Sequence, residues 1–196
     1  MTIPFLSVSQ NTTTLPKAIG ITASLPWVNS YSYYDYDSKK SSAKSGFIGL
    51  GASAFYKTGK NKLSLNFGFT GDLPVPIGPF DQANEGTRTN IFSTFWEGLY
   101  HRNLFYKVNL ITGLNYVNYH FNFTSFVDSL PSFSKFDKSI GFTIGSEFRF
   151  SKNSAVALFY RPTIISLNKK QYRHLISLDL GFSAPIFELP ASFSDH

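Results

Sequence analysis

Residues 91–116 alternate in side-chain character with a period of two, and this constrains the fold more than any other feature of the chain. Phe92, Thr94, Trp96, Gly98 and Tyr100 make one row, and Ser93, Phe95, Glu97 and Leu99 the other. After a turn expected at His101, Arg102 and Asn103, the alternation resumes. Tyr106, Val108, Leu110, Thr112, Leu114 and Tyr116 share one face, and Lys107, Asn109, Gly113 and Asn115 the opposite one. Period-two alternation means strands with two unlike faces, paired as a hairpin. A three-residue loop at 101–103 would set Glu97 directly opposite Lys107 on the polar face.

The polarity of these faces decides between environments. In a soluble sheet the apolar face looks inward and the charged face meets water. Here each strand reaches about ten residues, the length that crosses a bilayer when tilted. The apolar row has aromatic residues near its ends, and the polar row holds a lone acid and a lone base. We therefore expect the apolar row to face lipid and the polar row to line a narrow barrel. A spanning helix is not an option, because no run of about eighteen apolar residues exists. A mean hydropathy of −0.08 does not oppose the membrane, since a barrel spreads its apolar residues by alternation. The 196 residues suit one domain. The absence of cysteine removes disulfides and thiolate metal sites. A net charge of +6 would invite nucleic acid in a soluble protein, but the basic residues fall mostly in turns and loops without a base-stacking stripe, so no nucleic-acid partner is expected. A basic rim facing lipopolysaccharide is compatible with that charge, and a solvated surface is the simpler reading.

Along the chain the same alternation recurs. Residues 1–17 read as an extended periplasmic tail, 18–187 as the barrel, and 188–196 as a C-terminal tail. Met1 to Gln10 lacks the basic and apolar regions of an export signal, so a mature or trimmed form with an added Met1 is expected. Outward rows are Ile19, Ile21, Ala23, Leu25 and Trp27, then Ile48, Leu50, Ala52, Ala54 and Tyr56, then Leu63, Leu65, Phe67 and Phe69. After the central hairpin come Ile140, Phe142, Ile144, Phe148 and Phe150, then Val156, Leu158, Tyr160 and Ile164, then Ile176, Leu178, Leu180 and Phe182. Long loops are expected over 31–45, 71–89 and 121–137, alternating with short turns. Eight strands, alternately long and short connections, and both termini on the short-turn side are the marks of an outer-membrane barrel with periplasmic termini. Glycine recurs on the inward row (Gly20, Gly49, Gly51, Gly68, Gly113, Gly141, Gly145, Gly181), as a lumen filled by its own side chains requires. The expected fold is all-β: an eight-stranded antiparallel up-and-down transmembrane β-barrel with a polar, plugged lumen.

With these amphipathic strands, glycine-rich lumen positions and aromatic outward rows, residues 18–187 resemble the small outer-membrane β-barrel proteins of the OmpX, OmpA-transmembrane-domain and PorT-like kind. The resemblance implies insertion into the outer membrane of a Gram-negative bacterium. Such barrels finish at an aromatic residue of the last strand, and Phe182 or Phe187 would serve, with Glu188 to His196 continuing beyond.

Among polar residues, the inward charges Glu97, Lys107, Glu147, Arg149, Arg161 and Asp179 are expected to form an ion-pair network that plugs the lumen, since desolvated charges must pair. The alternative is a narrow solute path with the same charges exchanging partners. Trp27, Tyr56, Tyr100, Tyr106 and Tyr116 are expected at the two membrane interfaces, where amphipathic rings settle. Tyr31, Tyr33, Tyr34 and Tyr36 form a cluster suited to a partner-contact loop. Enzymes of this architecture place His with Ser, Asp or Glu at the outer rim. Here His120, with Ser125 and Asp128 beyond it, and His174 show no such pairing, so neither catalysis, a cofactor nor a metal is expected. The expected role is a structural or accessory subunit of a larger outer-membrane complex, contacting lipid, lipopolysaccharide and protein partners. A lipid A-modifying enzyme, a small-solute channel and a soluble lipocalin-like carrier are the rival readings.

Overall fold

A computed structural model describes residues 17–35, 39–73, 87–125, 132–168 and 171–189. Eight strands follow in order: β1 (Lys17–Asp35), β2 (Lys40–Thr58), β3 (Asn61–Leu73), β4 (Thr87–Phe105), β5 (Val108–Ser125), β6 (Phe133–Arg149), β7 (Ser154–Ser166) and β8 (Gln171–Leu189). Each pairs antiparallel with the next, and β8 returns to β1, so the sheet closes into a barrel with no free edge. Closure satisfies the backbone without water, the condition a membrane imposes on a strand.

The burial pattern is inverted relative to a soluble protein. Leu65, Leu114 and Trp96 are 74%, 67% and 59% exposed, whereas Arg161, Glu97 and Asp179 are 1%, 4% and 4% exposed. Soluble monomers rarely leave so continuous an apolar surface uncovered. This is the opposite of a lipocalin-like carrier, whose interior is apolar. The interior is nevertheless mixed, because Tyr31, Ile91, Phe95, Val117, Tyr119 and Leu175 form one buried apolar cluster and Leu99, Ile111, Ala157 and Phe159 another. Glycine makes room for two of these rings. A Cβ at Gly68 would overlap the ring of Phe95, and one at Gly145 would lie 2.9 Å from Cδ1 of Phe159.

Two expectations about the strands need correction. The central hairpin does not turn at 101–103. β4 continues to Phe105 and the turn is Tyr106-Lys107, with Tyr106 in the left-handed region (φ 42°). Glu97 therefore lies opposite Asn115, not Lys107. Polar residues read as turn because they would be costly in a soluble strand, but here His101 points into a polar lumen and is buried. The first and third expected loops are likewise mostly strand, since β1 and β2 each run 19 residues with only 36–39 between them, and β5 reaches Ser125 while β6 begins at Phe133. Trp27 is the extra residue of a bulge, where the pairing with β8 passes from Pro26 to Val28. Trp27 and Val28 both face outward, and alternation resumes one residue out of phase. That shift turns Asn29 and Tyr31 inward.

Candidate functional site

The polar side chains of the lumen are arranged at three levels. Toward the short-turn end, Glu147 of β6 is the hub. Its carboxylate accepts from Arg149 Nε at 2.8 Å, Asn109 Nδ2 at 2.6 Å and Lys62 Nζ at 3.4 Å. His101 Nδ1 lies 3.8 Å from the same carboxylate, and its Nε2 is hydrogen-bonded to Ser64 Oγ at 3.0 Å. Four strands thus meet on one acid.

At mid-barrel, Arg161 of β7 donates to both oxygens of Glu97 on β4, at 2.8 and 3.2 Å. Thr143 Oγ1 donates to Glu97 at 2.6 Å, and Arg161 Nη1 reaches Ser177 Oγ at 2.5 Å. The guanidinium lies between the rings of Phe95 and Phe159, at 4.6 and 4.5 Å from their centroids. These rings are the ones admitted by Gly68 and Gly145. A planar cation held edge-on by a carboxylate and face-on by two rings is strongly fixed. Asp179 adds a second buried acid in the field of Arg161.

Toward the long-loop end, Arg173 of β8 donates to Asp137 of β6 at 2.6 Å and to Gln171. Lys135 reaches Asp137 at 3.0 Å, and the Arg173 guanidinium lies 5.3 Å from the ring centroid of Tyr119 and 5.5 Å from that of Phe121. Tyr31 is hydrogen-bonded to Thr70, which is 2.7 Å from Ser93.

Of the expected network, Glu97, Glu147, Arg149, Arg161 and Asp179 line the lumen. Lys107 does not: it sits on the turn with Nζ 5.2 Å from the ring centroid of Tyr106. Lys62, His101, Asp137 and Arg173 also belong to the lumen; Lys62, His101 and Asp137 lie where the sequence reads as a turn or loop, and Arg173 directly follows one. Tyr31 is buried in the lumen instead of standing in a contact loop, and Tyr33 and Tyr34 lie on β1. Tyr36 is outside the described residues. Tyr106 is not on a strand face but at a turn, 87% exposed. Trp27, Tyr56 and Tyr100 point outward; Tyr56 and Tyr100 flank Leu63 at the short-turn end. Tyr116 pairs with Trp96, which packs on Phe67 at 4.5 Å between ring centroids.

Among solved structures, the chain is similar to Ail, the attachment invasion locus protein of Yersinia pestis, in complex with the heparin analogue sucrose octasulfate. That likeness has a TM-score of 0.58 at 12% identity, covering 87% of this chain and 99% of that one. A second crystal structure of Ail gives a TM-score of 0.56 at 13% identity, with the same coverage. Neisserial surface protein A gives a TM-score of 0.51 at 13% identity, covering 84% of this chain and 96% of that one. The fold is that of the small outer-membrane β-barrels. No protein-family model and no curated protein matches the sequence.

On this outer-membrane barrel fold the histidines weighed for catalysis stand on the wall. His120 stacks on Phe136 at 4.1 Å between centroids, and its β-sheet partners are Phe92 and Phe136. His174 lies 5.6 Å from Tyr160 and 5.7 Å from Tyr172, whose hydroxyls are 2.8 Å apart. Asp128 is outside the described residues. Among the described residues no group of His, Asp or Glu has the arrangement of a metal site.

Proposed function

We infer that this chain is an integral outer-membrane barrel without a catalytic site that serves as an accessory subunit of a larger complex in secretion, assembly or uptake. Its short-turn end and termini lie in the periplasm, and its long-loop end and outer wall meet lipid, lipopolysaccharide and a protein partner. The observation that carries this reading is the packed lumen. Arg161, clamped by Glu97, Phe95 and Phe159, fills mid-barrel, and the cavity beside it measures about 50 Å³. That volume suits a water or two and no solute of metabolic size. The working surfaces left are the wall and the two ends.

Purification from native membranes in mild detergent, followed by mass spectrometry, tests this. A stoichiometric outer-membrane partner is expected. A lone monomer with no partner at stoichiometric yield would overturn it. In the same strain, deletion should leave the lipid A mass spectrum unchanged. A shift restored by the wild type but not by His120→Ala would replace the accessory role with lipid modification.

A further inference from the structure

Charge is distributed very unevenly along the barrel axis. Among the described residues, Lys17, Lys57, Lys60, Lys62, Arg102, Lys107, Arg149 and Lys152 lie at the short-turn end, against Glu147 and Glu188. That end thus carries eight cationic side chains against two acids among the described residues.

Within that end the mouth of the lumen opens into a cavity of about 270 Å³. Lys57, Lys60, Lys62 and Arg149 line it, together with the amide-bearing Asn103 and Asn109, and no described acidic residue does. A neighbouring cavity of about 110 Å³ shares Lys57, Lys62 and Arg149 and adds Lys152, Glu147 and Glu188. Both exceed the roughly 30 Å³ that one water occupies in the liquid. The Glu147 carboxylate is already shared by Lys62, Arg149 and Asn109. Among the described residues Lys57 and Lys60 have no ion pair at all. Lys62 is 7% exposed, so its ammonium is confined to this mouth, where it shares Glu147 with Arg149 and lies 5.6 Å from the ring centroid of Phe55. Cations in excess of acids around one mouth, with amide donors beside them, are the donor set an oxyanion selects.

We propose that the short-turn mouth is an anion-binding vestibule for a phosphoryl group, held by Lys57, Lys62 and Arg149. A phosphoryl group has several terminal oxygens to meet cations arriving from β2, β3 and β6, which a single carboxylate does not. Its source is either free phosphate or the headgroup of an anionic phospholipid folded over the rim. This inference is independent of the accessory role.

The test uses the full-length protein in dodecyl maltoside at low ionic strength, with inorganic phosphate titrated by calorimetry. Lys57→Gln and Arg149→Gln should each bind about tenfold more weakly, the order set by one charge-assisted hydrogen bond. Lys135→Gln, at the other end, should bind as the wild type does. Glu147→Gln should bind more tightly, since it removes the competing carboxylate; a merely structural Glu147 would not raise affinity. Heat-dependent gel migration confirms that each variant is folded. A second arm uses nanodiscs of phosphatidylethanolamine with and without phosphatidylglycerol, counting phosphatidylglycerol retained in native mass spectra. Phosphate binding with this variant pattern assigns the free anion. Phosphatidylglycerol retention that falls in Lys57→Gln and Arg149→Gln, without phosphate binding, assigns the headgroup. Absence of both, or equal behaviour of all variants, overturns the proposal.

Discussion

Arg161 shows how a single side chain couples packing to charge in this barrel. Its pairing with Glu97 is buried on both sides, at 1% and 0% side-chain exposure. A buried pair contributes little net stability over an apolar replacement, yet removing one partner strands the other in a low-dielectric site at ~3–5 kcal/mol. Glu97→Gln and Arg161→Met should therefore each destabilise by about that amount in urea unfolding followed by tryptophan fluorescence. The double variant should recover most of the loss; additive losses would show that the two do not act as a pair. The glycines beside this site make a sharper comparison. Gly68→Ala should cost ~1–3 kcal/mol by overpacking against Phe95. Gly181→Ala, whose Cβ would meet Thr22 at an ordinary 3.7 Å, should be close to neutral in the same assay.

At the level of elements, the hairpin turns carry the local conformational decisions. The β2–β3 turn places Gly59 at φ 56°, where glycine has no penalty, and the equivalent position of the β4–β5 turn holds Tyr106 at φ 42°. A residue with a Cβ costs roughly 1–2 kcal/mol in that region. Tyr106→Gly should consequently raise the urea midpoint, by the equivalent of ~0.5–1 kcal/mol after the entropy of glycine is counted. A lower midpoint would mean that the Tyr106–Lys107 contact outweighs the backbone strain. The bulge at Trp27 is the other decisive local feature. Strict alternation from Ile19 would have aimed Tyr31 at the lipid side. The bulge sends it into the lumen, where its hydroxyl meets Thr70.

For the molecule as a whole, three successive ion-pair levels, with Arg161 clamped between two rings, leave the axis filled. Reconstituted into planar bilayers, the protein should give no discrete conductance steps at moderate voltage. Steps abolished by Arg161→Met would instead identify the middle level as a gate. The likeness to Ail and to Neisserial surface protein A spans nearly the whole of those chains at 12–13% identity. Closed barrels tolerate such divergence because the fold depends on alternation and on polar filling, not on particular side chains.

The eight amphipathic strands, the inside-out polarity and the glycine-lined interior were legible in the sequence, since a period of two assigns every strand residue to one face or the other. Height along the barrel axis was not legible. Glu97 and Arg161 are 64 residues apart, and Lys62 and Glu147 are 85 apart; what joins them is the stagger of closure and the bulges that adjust it. The same blindness hid Lys62, His101, Asp137 and Arg173, because a polar residue entering a polar lumen has the composition of a turn. Alternation determined the facing of the strand residues it covered, and the bulge at Trp27 redirected those beyond it. Only the closed register decided which of them meet.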